Sequence, residues 1–489
     1  MERNDTVVAI DLGTSKIAVL VGRKTQDGKL DVLASSMSDS LSGVVRGEIK
    51  NTEHVSKALK ETIGRIEQDL GISIREACIG VSGQHVKTLK HSGYIFIENS
   101  DGEVRQRDVQ RLNESMNNIQ IPVGETIIQI LPQEYRLDDE PDVREPVGMI
   151  GNKLDASFNI LVGDKAAVSR IDKTLSKDNI SATGHLLNPL AAAEAVLVPD
   201  EKELGVCVVD IGGGTTDVCI YHDNIIRHVA IIPLGGNIIN RDIRSYGILE
   251  RRVEGLKVKF GGAVGKMERA DKFITIPGLN ARDPKEISCR NLASIIEARL
   301  LDIIDSVKHE IQKTGYEDRL GAGIVLTGGT ALTRNIDVLF HNHTGCDVRV
   351  ALPDTHVTEA SVELVNSPVY SVAVGLLLKT LGAGVLSRPP GTRPLVKATT
   401  ATAVRPQPAA PEPPAAKEPE TAPENTRLSR RRWNDVADAR REEPKDTAFE
   451  SDTDTPPEAS GKKGGGWFQR VKERLTGAFE VVDDDFDND

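Results

Sequence analysis

The sequence predicts an α/β fold built from two similar halves, and three observations carry that prediction. Up to about residue 387, strand-like and helix-like apolar periods alternate with short turns between them. A strand, turn, strand pattern occurs twice, as VVAIDLGTSKIAVLVG (7–22) and GVCVVDIGGGTTDVCIYH (205–222), the mark of a duplicated fold whose halves face each other. The composition is ordinary for globular protein: 489 residues, 39% hydrophobic and 27% charged. That is length for roughly three domains of ~150 residues each.

Each copy of the pattern ends its first strand on an acid, Asp11 or Asp210, and then turns through small residues. In the first turn these are Gly13, Thr14 and Ser15, followed by Lys16; in the second they are Gly212, Gly213, Gly214, Thr215 and Thr216. Glycines let the backbone approach an anion, successive N–H groups point into the concavity and hydroxyls add donors, so each turn suits phosphate oxygens. Lys16 adds a point charge for a β- or γ-phosphate. Asp11 and Asp210 would face a cation shared with those phosphates, and magnesium, which keeps its waters and takes one or two carboxylates, suits that arrangement. The same grammar also fits tight hairpins of turn-favouring residues with no ligand. Two matched copies weigh against that alternative. Further on, AGIVLTGGTALTRNIDVLF (322–340) passes from an apolar strand through Gly328 and Gly329 into an amphipathic helix. A flat base or ribose can pass close to such a backbone, although alone the junction is only a turn.

Charge and cysteines exclude several classes. A net charge of −12 opposes a general nucleic-acid surface, which needs a basic face. Cys78, Cys207, Cys219, Cys289 and Cys346 are scattered and never spaced C-x-x-C, so neither a disulfide framework nor a zinc site is expected, and a reducing cytosol fits. No stretch reaches the ~18 apolar residues of a membrane span, so the chain is expected to be neither secreted nor integral to a membrane. Thirteen of the 24 prolines fall between Pro389 and Pro457, which makes 388–462 a disordered linker: it cannot bury enough apolar surface to offset its ordering entropy.

The three glycine-rich elements, in this order and spacing, resemble the phosphate 1, phosphate 2 and adenosine motifs of the actin, Hsp70 and sugar-kinase superfamily. Within it, LPQEY (131–135), PVGM (146–149), DASFNIL (155–161) and KELGVCVVDIGGGTTDV (202–218) are similar to the FtsA family of bacterial cell-division proteins, over about 1–385. The resemblance implies an actin-like, ribonuclease H-like duplicated fold. Its first domain would take 1–83 and 166–204 with a return helix at about 368–385; its second would take 205–367, with an outer subdomain at about 237–310. An inserted small α/β subdomain would take 84–165, with a hairpin-like GYIFIENSDGEVR (93–105) and a helix-like DVQRLNESM (108–116). The resemblance also implies ATP and magnesium as ligands, self-assembly into filaments, capture of the C-terminal tail of the tubulin-like FtsZ, contacts with later division proteins, and a place on the cytoplasmic face of the membrane at the division septum.

Carried over residue by residue, Asp11, Gly13, Thr14, Ser15 and Lys16 match phosphate 1, Asp210, Gly212, Gly213, Gly214, Thr215 and Thr216 match phosphate 2, and Gly328 and Gly329 match the adenosine motif. Gly235, Gly236 and Asn237 stand at an expected helix start, where free N–H groups favour anions and ribose hydroxyls. Glu254 and Lys257, three apart, resemble the pair that flanks adenine and ribose; a solvent-exposed salt bridge explains them equally well. One departure bears on chemistry. Many ATPases of the superfamily place an acid before the proline of this helix, whereas LLNPLAAAEAVL (186–197) has Asn188 there, and a neutral amide is no general base. Hydrolysis is expected to be weak or absent, with no catalytic residue assigned, and Glu194, six residues on, is expected to be structural. For the FtsZ tail, 288–311 is the candidate surface, through Arg290, Asn291 and Arg299, while its Leu292, Ile295, Ile296, Leu300, Ile303 and Val307 repeat at core spacing.

The stretch 463–482 is expected to be an amphipathic helix. At ~100° per residue, Trp467, Phe468, Val471, Leu475, Ala478, Phe479 and Val482 share one arc of ~120°. Lys472 and Arg474 flank it where they can snorkel to lipid phosphates, and Glu473 and Glu480 lie opposite. Anionic lipid of the cytoplasmic membrane is the expected partner; the alternative is a helix that docks on protein, as in an actin-like pilus-assembly protein or another ATPase or kinase of the superfamily. Family members usually end on this helix, whereas here the acidic stretch DDDFDND (483–489) follows.

Overall fold

The computed structural model describes residues 6–40, 42–276 and 284–382. The expected linker, the amphipathic stretch and the acidic stretch all lie outside the described residues.

Two five-stranded sheets carry the duplication. The first runs, edge to edge, Ser181–Leu187, Glu76–Val81, Thr6–Leu12, Lys16–Lys24, Leu30–Asp39; the second runs Val348–Val350, Ile324–Thr327, Val206–Ile211, Thr216–His222, Ile225–Ile232. In both, the strand that ends near the acid pairs antiparallel with its hairpin partner and parallel with a later strand. Such strands are covered on both faces, so Ala9 and Ile10, and again Cys207, Val208 and Val209, are buried without alternation.

Two helices cross between the sheets. Ser371–Gly382 packs on the first sheet and Asn188–Val196 on the second. At their crossing a Cβ on Gly375 would sit 1.7 Å from Ala191 O, so the backbones touch and the position requires glycine. The run Ala191, Ala192, Ala193 is wholly buried, small enough to lie between two cores.

After Val81 the chain leaves the first sheet and builds a separate four-stranded antiparallel sheet, ordered Lys87–Phe96, Lys153–Asp164, Glu125–Leu137, Glu140–Val143. Helix Gln106–Ser115 covers it, and Leu112, Met116, Leu154, Phe158 and Ile160 form its core. GYIFIENSDGEVR does not close on itself as a hairpin. Tyr94, Ile95 and Phe96 pair instead with Asp155, Leu154 and Lys153, while the chain turns at Asn99–Gly102. The local turn signal is real, but the long strand offers a ten-residue ladder that a short return cannot match.

Beyond the second sheet stand helices Gly236–Ser245, Glu250–Phe260 and Cys289–Thr314 and the hairpin Phe273–Ile276 with Lys285–Ser288. Cys289–Thr314 starts where Ser288 Oγ accepts the Asn291 N–H and stops at Gly315, whose φ of 71° ends the helix. Its Leu292, Ile295, Ile296, Leu300, Ile303 and Val307 are buried, which makes them core. Among the described residues no single helix is long and apolar enough to cross a membrane.

Candidate nucleotide cleft

The two hairpin turns are built alike and face each other. Gly13 N–H donates to Lys16 O at 2.9 Å, and Gly212 N–H donates to Thr215 O at 2.9 Å, the same closure three residues on. Across the gap Ser15 Oγ donates to Asn237 Oδ1 at 3.3 Å. A Cβ on Gly213 would lie 1.9 Å from Ser15 Oγ, and one on Gly214 2.5 Å from Thr14 Oγ1, so the turns touch where the sequence has glycine. Behind them opens a cleft of about 330 Å³, within the range of small-molecule sites.

Three buried acids line its floor. Lys16 Nζ is bound to Asp11 Oδ2 at 2.7 Å and also to Val369 O, which leaves Asp11 Oδ1 buried with no partner. Burial raises the Asp210 carboxyl to about 7, with Lys16 opposing and Asp11 reinforcing the shift. Asp217, one strand over and in register with Asp210, is pushed up to about 8 by burial and then by Asp210, while it accepts from Ser82 Oγ at 3.0 and 3.2 Å. Lys16 thus bonds Asp11 and acts on Asp210, and Asp217 has no cation among the causes of its shift. That surplus of acid, with the orphaned Asp11 oxygen, fits a hydrated divalent cation; among the described residues no cluster of His, Cys, Asp or Glu forms a direct ligand set.

Several expected residues are placed for reasons other than those the sequence suggested. The N–H groups of Gly236 and Asn237, expected to be free at the helix start, donate to Gly212 O and Gly213 O at 2.9 and 2.8 Å. They brace the second turn instead of offering themselves to a ligand. Gly328 has φ 87° and a Cβ there would lie 2.1 Å from Asp210 Oδ1, so it makes room for an acid as well as lining the cleft. Thr216 Oγ1 is turned away, donating to Leu234 O. Glu254 and Lys257 pair at 2.9 Å on the cleft wall, with Lys257 largely covered and Glu254 exposed.

Asn188 lies in the cleft, 8% exposed, its Oδ1 unpartnered and only 2.5 Å from where a Cβ on Gly80 would stand. Glu194 is held by Lys202 and Lys379 at 3.2 and 3.3 Å, a structural contact as expected. Sequence reasoning missed Ser82, Asp217 and the upper wall formed by Val258, Leu332 and Arg334. For Asp217 the signal was present: an acid inside an apolar strand, where the first hairpin has Ala18. Of the three candidate partner residues, Arg290 is exposed and Asn291 half-buried, whereas Arg299 is clamped between Asp242 and Asp302, both at 2.8 Å.

Comparison with known proteins bears on the family and the fold. A family model described as "Cell division protein FtsA" matches residues 207–375, and one described as "SHS2 domain inserted in FTSA" matches 83–162. The chain is 34% identical over 373 residues to the cell division protein FtsA of Pseudomonas aeruginosa, covering 76% of this chain and 88% of that one. Against the FtsA of Escherichia coli (strain K12) it is 30% identical over 379 residues, with 76% and 89% covered. Among solved structures, a "PilM-PilN type IV pilus biogenesis complex" chain superposes with a TM-score of 0.55 at 15% identity, over 77% of this chain and 98% of that one, a likeness of fold alone.

Proposed function

The chain belongs to the FtsA family of cell-division proteins, and on that premise we propose that it is an ATP-binding, actin-like adaptor that self-assembles and ties the FtsZ ring to the cytoplasmic membrane. The observation that carries the nucleotide part is the meeting of two identically closed glycine turns over three buried acids. The backbone N–H groups and hydroxyls of the turns grip the phosphates. Asp11, Asp210 and Asp217 are the residues that would hold a magnesium ion, which when bound would neutralise phosphate charge. Glu254 and Lys257 flank the ribose end, and Val258 and Leu332 offer apolar surface to the base. With Asn188 where a base would stand, ATP acts mainly as a ligand for closure and assembly.

The exposed Arg290 beside Asn291 presents donors to the acidic, apolar FtsZ tail. Membrane attachment falls to 463–482, whose sequence places Trp467, Phe468, Val471, Leu475 and Phe479 on one face. Flotation with anionic liposomes in ATP and magnesium tests the adaptor reading, comparing the intact chain with one ending at Lys462. The intact chain is expected to float and the shortened one to stay below. If neither floats, the terminal stretch binds protein and the adaptor reading is lost.

A further inference from the structure

We infer that the inserted subdomain is a clasp between the two halves whose release lets nucleotide leave the cleft; the inference rests on the nucleotide reading of that cleft. Four side chains of the subdomain region grip one edge of the second sheet. Gln133 Nε2 donates to Ile226 O at 3.0 Å and Asn159 Nδ2 donates to Arg227 O at 3.2 Å. Arg227 Nη1 meets Glu134 Oε1 at 2.9 Å, and Arg144 Nη2 meets Asp223 Oδ1 at 2.8 Å. The edge strand Ile225–Ile232 would otherwise offer unpaired carbonyls, and two side-chain amides cover two of them.

The seam is built into the fold. Arg227 is 10% exposed and its guanidinium lies over the Tyr316 ring at 5.8 Å. Beneath the polar contacts Leu131 and Leu161 join an apolar cluster that includes Tyr221 and Val229, with Ile226 packed against it. LPQEY, which marks the family in the sequence, is therefore the stretch that reaches across: Leu131 supplies apolar contact, Gln133 an amide and Glu134 a charge.

The clasp and the phosphate turns sit at opposite ends of one rigid element. Strand Thr216–His222 carries Asp217 at its cleft end and leads, through the turn at Asp223 and Asn224, into the gripped strand. At ~3.3 Å per residue its two ends are roughly 20 Å apart. The root of the subdomain touches the cleft end of that same strand, because Ser82 donates to Asp217 and the next residue, Gly83 with φ 130°, starts the excursion. Any rotation that parts the two turns moves this strand as a body, and it must slide against both the root and the clasp. Opening of the cleft is therefore opposed by the clasp contacts at the far end of the strand, away from the ligand, as coupling through a rigid element requires.

The test is the release of a fluorescent ATP analogue from the full chain in magnesium, chased with unlabelled ATP in a stopped-flow instrument. Arg227→Ala and Gln133→Leu are expected to speed release roughly three- to tenfold. Glu134→Ala is expected to add little once Arg227 is gone, since the two act as one pair. Arg144→Ala, at an exposed position that leaves the fold intact, is expected to speed release by a smaller factor. Unchanged release in these variants, with melting temperatures showing them folded, overturns the clasp while leaving the nucleotide site standing. A natural chain that binds no analogue overturns the nucleotide reading and the gating with it.

Discussion

Asp217 and Asp210 stand side by side on paired strands, both buried, with Lys16 paired to Asp11 and opposing the shift of Asp210. Unfolded, such acids titrate near 4; folded, Asp210 sits at about 7 and Asp217 at about 8. Between those limits the native protein holds protons that the unfolded chain has lost. The stability they contribute is full below about pH 4 and falls as pH rises toward 8, by up to about 1.4 kcal/mol per group per pH unit. Melting in magnesium-free buffer is expected to drop from pH 5 to pH 8, and Asp217→Asn is expected to flatten the slope; a flat profile in the natural chain would contradict the buried acid cluster. Asn188 poses the complementary question, a neutral group where chemistry would want a base. Asn188→Asp is expected to raise ATP hydrolysis at least about tenfold, read as phosphate release, and no change would remove the amide as a reason to expect weak hydrolysis. The two turns were legible in sequence because each closes locally, through one hydrogen bond three residues on. Ser82 was not, since its meaning is a contact with a residue 135 positions away, and Asp217 showed in sequence only as an acid inside an apolar strand.

The crossing of Asn188–Val196 with Ser371–Gly382 is the element on which both halves depend. Gly375→Ala places a methyl group against Ala191 O, so the helices must separate, at a cost of about 1–3 kcal/mol. A shift of the urea midpoint with unchanged slope is the expected sign. On helix Cys289–Thr314 the two arginines separate cleanly. Arg299→Ala strips a half-buried Asp242 of its partner and is expected to lower stability, whereas Arg290→Ala is expected to leave melting unchanged and weaken binding of an FtsZ-tail peptide. Equal loss of stability in both would remove Arg290 as a presented contact. Here the helical period in the sequence located the core face correctly, because burial follows spacing. It could not tell a presented arginine from a clamped one, nor foresee that GYIF would pair with a strand some sixty residues on or that the N–H groups at Gly236 would be taken by the neighbouring turn. Those outcomes depend on which partner lies nearest in space.

At the scale of the whole molecule, the proposed function joins a nucleotide-binding body to a stretch read as a membrane anchor, and on that reading charge would decide how tightly the anchor holds. On the proposed reading, Lys462, Lys463, Lys472 and Arg474 would draw 463–482 toward anionic lipid at about 1 kcal/mol per charge near the surface. Asp483, Asp484, Asp485, Asp487 and Asp489 follow at once and oppose them over the same distance. If the chain assembles as proposed, a filament presenting many such stretches would multiply a small difference in affinity into a large one. Removing 483–489 is therefore expected to let the chain float at a lower fraction of anionic lipid, most visibly under ATP and magnesium. In 1 M salt, where charges are screened within ~3 Å, the intact and shortened chains should float alike, and neutral vesicles should not distinguish them. If the shortened chain floats no better on anionic vesicles at low salt, the five acids do not face the membrane and their charge plays no part in attachment.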